Sequence, residues 1–189
     1  NGILIAFSQT AVNVLGVYFK LQTFVFMPVF GLNQGALPVM GYNYGAAKKD
    51  RLMQTYKEAL KIALLVMALG LLLFQALPKQ LLLMFDASAD MLAIGIPALR
   101  IISLCFLPAA FGIITGTLFQ GTGHGVYSLL CSVIRQLIGI LPLAFILIRI
   151  GGVTLSWASF PLAELLGLAY SALMLQRLYK NEISKLGVQ

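Results

Sequence analysis

Charge is what this sequence holds least of. Asp, Glu, Lys and Arg make up 10% of its 189 residues, where a soluble domain carries about a quarter. With 60% hydrophobic residues and a mean hydropathy of +0.93, the composition is that of a membrane protein. Histidine occurs once, at His124, and cysteine twice, at Cys105 and Cys131. Both cysteines fall inside apolar segments without metal-ligand spacing, so buried free thiols are expected and no metal or cofactor site. There is no Gly-x-Ser-x-Gly or His-Glu-x-x-His motif, which leaves an enzyme without a nucleophile–base pair or a metal cluster. Strand patterns, low-complexity linkers and a second, soluble domain are also missing. Acid is scarcer than base, six against 13, for a net charge of +7. The bases lie mostly at the ends of apolar segments, where they mark topology and not a phosphate-binding face, so no nucleic-acid partner is expected.

What is present is a series of long apolar runs, and about 20 such residues cross a bilayer as a helix. Five spans follow: A over 14–44, B over 56–77, C over 91–120, D over 126–149 and E over 154–179. Residues 1–9 are too short to span and read as the tail of a truncated transmembrane helix, set off by a polar break from Thr10 to Asn13. The chain opens on Asn1-Gly2-Ile3, already apolar and without methionine, and so reads as a piece of a longer protein. The fold class is an all-α integral membrane bundle. Prolines punctuate it: Pro28 and Pro38 in A, Pro97 and Pro108 in C, Pro142 in D, Pro161 in E, with Pro78 closing B. Kinks are expected at Pro28 and Pro38, which a membrane helix tolerates because neighbours and water re-satisfy the freed backbone groups. Lys48, Lys49, Arg51, Lys57, Lys61, Arg177, Lys180 and Lys185 share one side of the membrane, against Lys79 and Arg149 on the other. By the positive-inside rule the A–B loop and the C-terminus are cytoplasmic.

Four ionisable residues fall within the spans: Lys20, Arg100, Arg135 and Glu164. A charge in hydrocarbon costs a few kcal/mol and needs a partner or a wet cavity. Arg135 and Glu164 each lie about 15 Å from an end of their helix, on neighbouring antiparallel spans, which predicts a buried ion pair near the midplane. A structural pair that fixes helix register is preferred over a proton relay, because removing either partner strands the other charge. Lys20 is close enough to its helix end to snorkel; Arg100 is deeper, and both are candidate cavity charges. The surplus of buried positive charge calls for acids outside these residues. On span A, Phe19, Gln22 or Thr23, Phe26, Phe30, Asn33 or Gln34, and Leu37 fall along one stripe at helical spacing. Rings and amides in such a stripe suit a flat, apolar, often cationic ligand; helix packing is the better explanation of any single one of them, while the set with its kinks leans towards a lined pathway. His124 reads as a solvated turn histidine, Asp50, Glu58 and Glu182 as solvated acids, and Trp157 and Tyr179 as interfacial anchors.

The Gly31-Leu32-Asn33-Gln34-Gly35 to Pro38 and Gly41-Tyr42-Asn43-Tyr44-Gly45-Ala46 stretch resembles the multidrug and toxic compound extrusion (MATE) family of secondary antiporters. So do Lys20-Leu21-Gln22-Thr23-Phe24, the turn from Gly121 to Gly125, Arg135-Gln136 with Pro142, and Trp157 through Ala163-Glu164. The resemblance implies that spans A to E are helices 8 to 12 of a twelve-helix, two-lobe transporter, with a missing N-terminal lobe as partner. It also implies rocking around a central cavity, export of small organic cations in exchange for protons or sodium, and a place in the bacterial cell membrane. Sodium-coupled members of the NorM branch carry an aspartate in helix 10, where this chain has Ala109 and no acid anywhere in span C. The MepA- and DinF-like branch is the better match, and its coupling ion is expected to bind outside this fragment. A lipid-linked polysaccharide or lipid flippase of the same superfamily is the alternative, kept open by Lys20, Arg100 and Arg135. A purely structural membrane subunit would be indifferent to mutation of the span A stripe.

Overall fold

Proline and glycine, more than hydropathy, decide where these helices break. The computed structural model describes residues 9–187, and among these every regular element is helical. Helix α1 runs over Gln9–Gly45, α2 over Lys49–Ala76, α3 over Pro78–Leu83, α4 over Ala89–Ser103, α5 over Phe106–Gly121 and α6 over Gly125–Val133. A π-helical segment, Ile134–Ile140, joins α6 to α7, Leu141–Ser156, and α8 covers Ser159–Asn181. The tail expected at residues 1–9 lies outside the described residues but for Gln9, which already belongs to α1. No break occurs at Thr10 to Asn13: their backbone continues the helix, and their polarity is carried by side chains alone.

Pro28 and Pro38 sit inside the uninterrupted α1. Span C, which Pro97 and Pro108 punctuate, bends between α4 and α5, which meet at 44° across Leu104 and Cys105. Pro108 has no N–H for the carbonyl of Leu104 and its ring crowds that oxygen, so the helix cannot run straight through. In the same way Pro142 follows the π segment, where a wider turn absorbs the lost bond to Ile138. Within α7 the helix breaks at Gly151 and Gly152, the latter at φ +67°, a left-handed conformation that favours glycine. One further helical turn intervenes before α8, so the last helix starts at Ser159 and not near Thr154. Trp157, expected at the interface, is instead 1% exposed and packed in the core.

Helices α1, α2, α4 and α5 enclose the main core, with α5 central: Phe106, Ile114, Leu118 and Phe119 are all fully buried. Small residues set the helix spacing. A β-carbon placed on Gly70 of α2 would collide with Val25 Cγ1 of α1, and one on Gly139 would lie 2.6 Å from Ala163 Cβ of α8. By length and composition, among the described residues, α1, α2 and the stretch Gly125–Ser156 can each cross a membrane, and the bent α4–α5 pair adds a fourth span if its two halves are counted as one. Helix α8, with 23 residues, is about 35 Å long, but Glu164, Tyr170, Ser171 and Gln176 lower its hydropathy.

Candidate functional site

One face of α1 forms the wall of a cleft. Leu15, Tyr18, Phe19, Gln22, Phe26 and Phe30, three and four residues apart, line a space of about 520 Å³, within the range of small-molecule sites. Across from them stand Arg135, Gln136 and Ile140 of the π segment, Phe160 and Glu164 of α8, and Cys105 and Ile113 beside the α4–α5 bend. The aromatic wall is braced from behind. Phe26 meets Phe106 edge-on at 5.3 Å and Phe106 meets Phe74 at 5.1 Å, while within the cleft Tyr18 meets Phe160 at 6.0 Å. Such edge-to-face pairs hold ring orientation at about 1 kcal/mol each.

Arg135 and Glu164 face each other across the cleft floor. Arg135 Nη1 lies 3.4 Å from Glu164 Oε1 and donates to Oε2 at 3.5 Å. Both distances exceed the roughly 2.7–2.9 Å of a tight charge-assisted bond, and one nitrogen serves both oxygens. The side chains are 22% and 13% exposed, and Arg135 Nε is buried without a partner. The pair is therefore loose for its burial. Gly139 lets α8 approach the π segment closely enough for it to form. A smaller cleft of about 190 Å³ adjoins through Arg135 and Phe30, which line both. It is polar, with Asn33, Gln120, Ser128 and Ser132 on its walls. Asn33 is hydrogen-bonded there to Thr117.

The structure thus brings together Phe19, Gln22, Phe26, Phe30, Asn33, Arg135 and Glu164. It leaves out Thr23, which is exposed and donates to the Phe19 carbonyl at 2.8 Å, and Gln34, which is exposed and lines neither cleft. Lys20 is one residue past the stripe, hence about 100° around the helix. It is exposed, with Nζ 5.8 Å from the Phe85 ring. Arg100 is exposed in the last turn of α4 and lines neither cleft. Tyr18, Cys105, Gln136 and Phe160 line the larger cleft but were not among the candidate site residues. Tyr18 shares the spacing of Gln22 and was legible in principle; Gln136 faces the cleft beside Arg135 in the π turn, which a period of 3.6 does not anticipate.

At the far end of the molecule, two expectations are corrected. His124 and Glu182 are not simply solvated: His124 Nε2 lies 2.9 Å from Glu182 Oε1, and Tyr44 donates its hydroxyl to Glu182 Oε2 at 2.6 Å. The histidine ring also stacks on Tyr127 at 5.3 Å.

The MatE family model matches residues 1–146. The chain belongs to the MatE family. It is 21% identical over 184 residues to the multidrug export protein MepA of Staphylococcus saprophyticus subsp. saprophyticus, a match that covers 97% of this chain and 40% of the relative. The MATE multidrug transporter DinF-BH, solved as a complex with a ligand, superposes with a TM-score of 0.81 at 31% identity, over 91% of this chain and 38% of that one. A MOP superfamily transporter from Pyrococcus furiosus, described as having a binding pocket of reverse polarity that suggests a different function, superposes at 0.86 with 21% identity, over 98% and 41%. The chain thus spans about 40% of the length of the relatives it matches and has the fold of one lobe of these MatE transporters.

Proposed function

We propose that this chain is the C-terminal lobe of a MatE-family secondary transporter of the bacterial cell membrane. The transporter exports amphipathic organic cations in exchange for protons or sodium. A second, N-terminal lobe faces it across a central cavity, and the two rock between inward- and outward-open states, as repeat-built transporters do. The A–B loop, now the α1–α2 connection, and the C-terminus face the cytoplasm, in line with their eight bases.

The observation that carries this reading is the aromatic wall of α1. Phe19, Phe26 and Phe30 lie in the cleft with the amide of Gln22 and the carboxylate of Glu164. Rings offer a cation π-faces and dispersion, with a small number of polar groups to orient it. We infer that the coupling ion binds outside these residues, because span C carries no acid and Glu164 is engaged by Arg135. The lipid-flippase alternative needs a strongly cationic cavity. Lys20 and Arg100 lie outside both clefts and leave Arg135 alone to supply it, which weakens that reading.

The test is ethidium efflux by the full-length protein in proteoliposomes, driven in turn by an imposed proton and an imposed sodium gradient. Efflux driven by one of them supports the antiporter and names the ion. Correctly oriented protein that responds to neither gradient would sink the proposal in favour of the flippase.

A further inference from the structure

We propose that the start of α2 and the end of α8 form a binding site for an anionic phospholipid of the leaflet on the α1–α2 loop side. The phosphate lies on Lys48, Lys49 and Arg51, and an acyl chain lies in the groove formed by Met53 and Leu175. Two neighbouring depressions carry this inference. Ala47, Lys48, Lys49, Asp50, Arg51, Leu186 and Gly187 line a cleft of about 630 Å³, with three cations against one acid. Met53, Leu175, Gln176, Tyr179 and Lys180 line a groove of about 220 Å³.

The two adjoin. Lys49 and Met53 stand one turn apart on the same side of α2, and Lys49 Nζ lies 5.6 Å from the centre of the Tyr179 ring, which lines the groove. Among the described residues, Lys48, Lys49, Arg51 and Lys180 form no salt bridge, so their charge is open to a ligand. The first turn of α2 adds to it, because Lys48 at its N-cap supplies no side-chain bond to the turn's N–H groups. Positive-inside topology accounts for the number of bases but not for an apolar groove running out of their midst. A free phosphate or nucleotide would fill the basic cleft and leave the groove open to water. A phospholipid fills both, with its phosphate at the level where the apolar α2 meets the loop.

The experiment is lipid retention by the full-length protein in nanodiscs of mixed phosphatidylglycerol and phosphatidylcholine, read by native mass spectrometry. Wild-type protein should retain phosphatidylglycerol preferentially, and raising the salt should erode that preference, with no substitution needed. Lys48→Gln with Arg51→Gln should lower the preference about fivefold per charge removed. Met53→Trp, which fills the groove, should lower the retention of phosphatidylglycerol with both charges in place. Equal retention of the two lipids by the wild type would overturn the proposal. So would displacement of the bound lipid by an equal concentration of glycerol 3-phosphate, which would assign the cleft to a soluble anion. Because the readout is binding, it stands or falls independently of any efflux assay.

Discussion

Glu164 is the one carboxylate lining the larger cleft, and Arg135 the one cation. Their geometry bears on what each is for. A pair held at 3.4 and 3.5 Å through a single nitrogen gains little from hydrogen bonding, yet most of the desolvation cost of both charges has been met. Removing one partner then does more harm than removing both, because the survivor stays buried and uncompensated. Glu164→Gln is expected to destabilise the protein by about 2 kcal/mol, less than a fully buried pair because both side chains are partly exposed. It should lower the yield of monodisperse full-length protein and its Tm by several degrees. The double variant Arg135→Met, Glu164→Leu should recover most of that loss. Gel-filtration yield and thermal melting of the three proteins check the register-fixing role. Normal yield of Glu164→Gln with efflux abolished would instead give the carboxylate a part in coupling.

At the scale of helices, the Arg135–Glu164 distance is set by how closely α8 approaches the π segment. A β-carbon at Gly139 would stand 2.6 Å from Ala163 Cβ and 3.0 Å from Ala163 Cα. No side-chain rotation relieves a contact with those atoms, so α8 itself must move. Gly139→Ala should therefore cost about 1–3 kcal/mol and pull Glu164, next to Ala163, away from Arg135. Gly125→Ala, with nothing within 4 Å of the new atom, should leave the melting temperature unchanged, and paired melting curves separate the two cases. This element also marks the limit of what the sequence disclosed. The α1 stripe was legible because a period of 3.6 over Phe19, Gln22, Phe26 and Phe30 survives into the structure unchanged. Arg135 opposite Glu164 followed from counting residues inward from two helix ends. The bend at Leu104 and Cys105 fits the punctuation of span C by Pro108, whereas the π turn and the late start of α8 were not legible in that way. Proline announces that a helix must yield, but the surrounding packing decides whether it breaks, as between α4 and α5, or widens, as in the π segment. Trp157 was misplaced for a similar reason: interfacial preference describes a tryptophan at a helix end, and the extra turn before Ser159 carries it into the core.

At the scale of the whole lobe, the cleft and the loop side are separate, and the loop side is tied together by one carboxylate. Glu182 joins Tyr44 at the end of α1, His124 in the α5–α6 turn and the C-terminal segment that follows α8. Ile183, next in sequence, is fully buried, so the segment is anchored by packing as well as by charge. The comparison that decides how much the charge contributes is Glu58, which pairs with Lys61 at 2.8 Å. Distance alone would rank the two carboxylates as equals. Exposure does not: the Glu58 pair is 55–70% exposed and lies within one helix, where such pairs contribute a few tenths of a kcal/mol at most. Glu182 is 39% exposed, its histidine partner 24%, and it connects segments far apart in the chain. Glu182→Ala should then cost about 1 kcal/mol, discounted for that exposure, and Glu58→Ala should cost nothing measurable. Limited proteolysis gives the more telling readout, because the effect should be local. Losing Glu182 should speed cleavage after Lys180 and Lys185 while the helices stay protected, whereas equal cleavage rates in the two variants would mean that Ile183 holds the tail unaided.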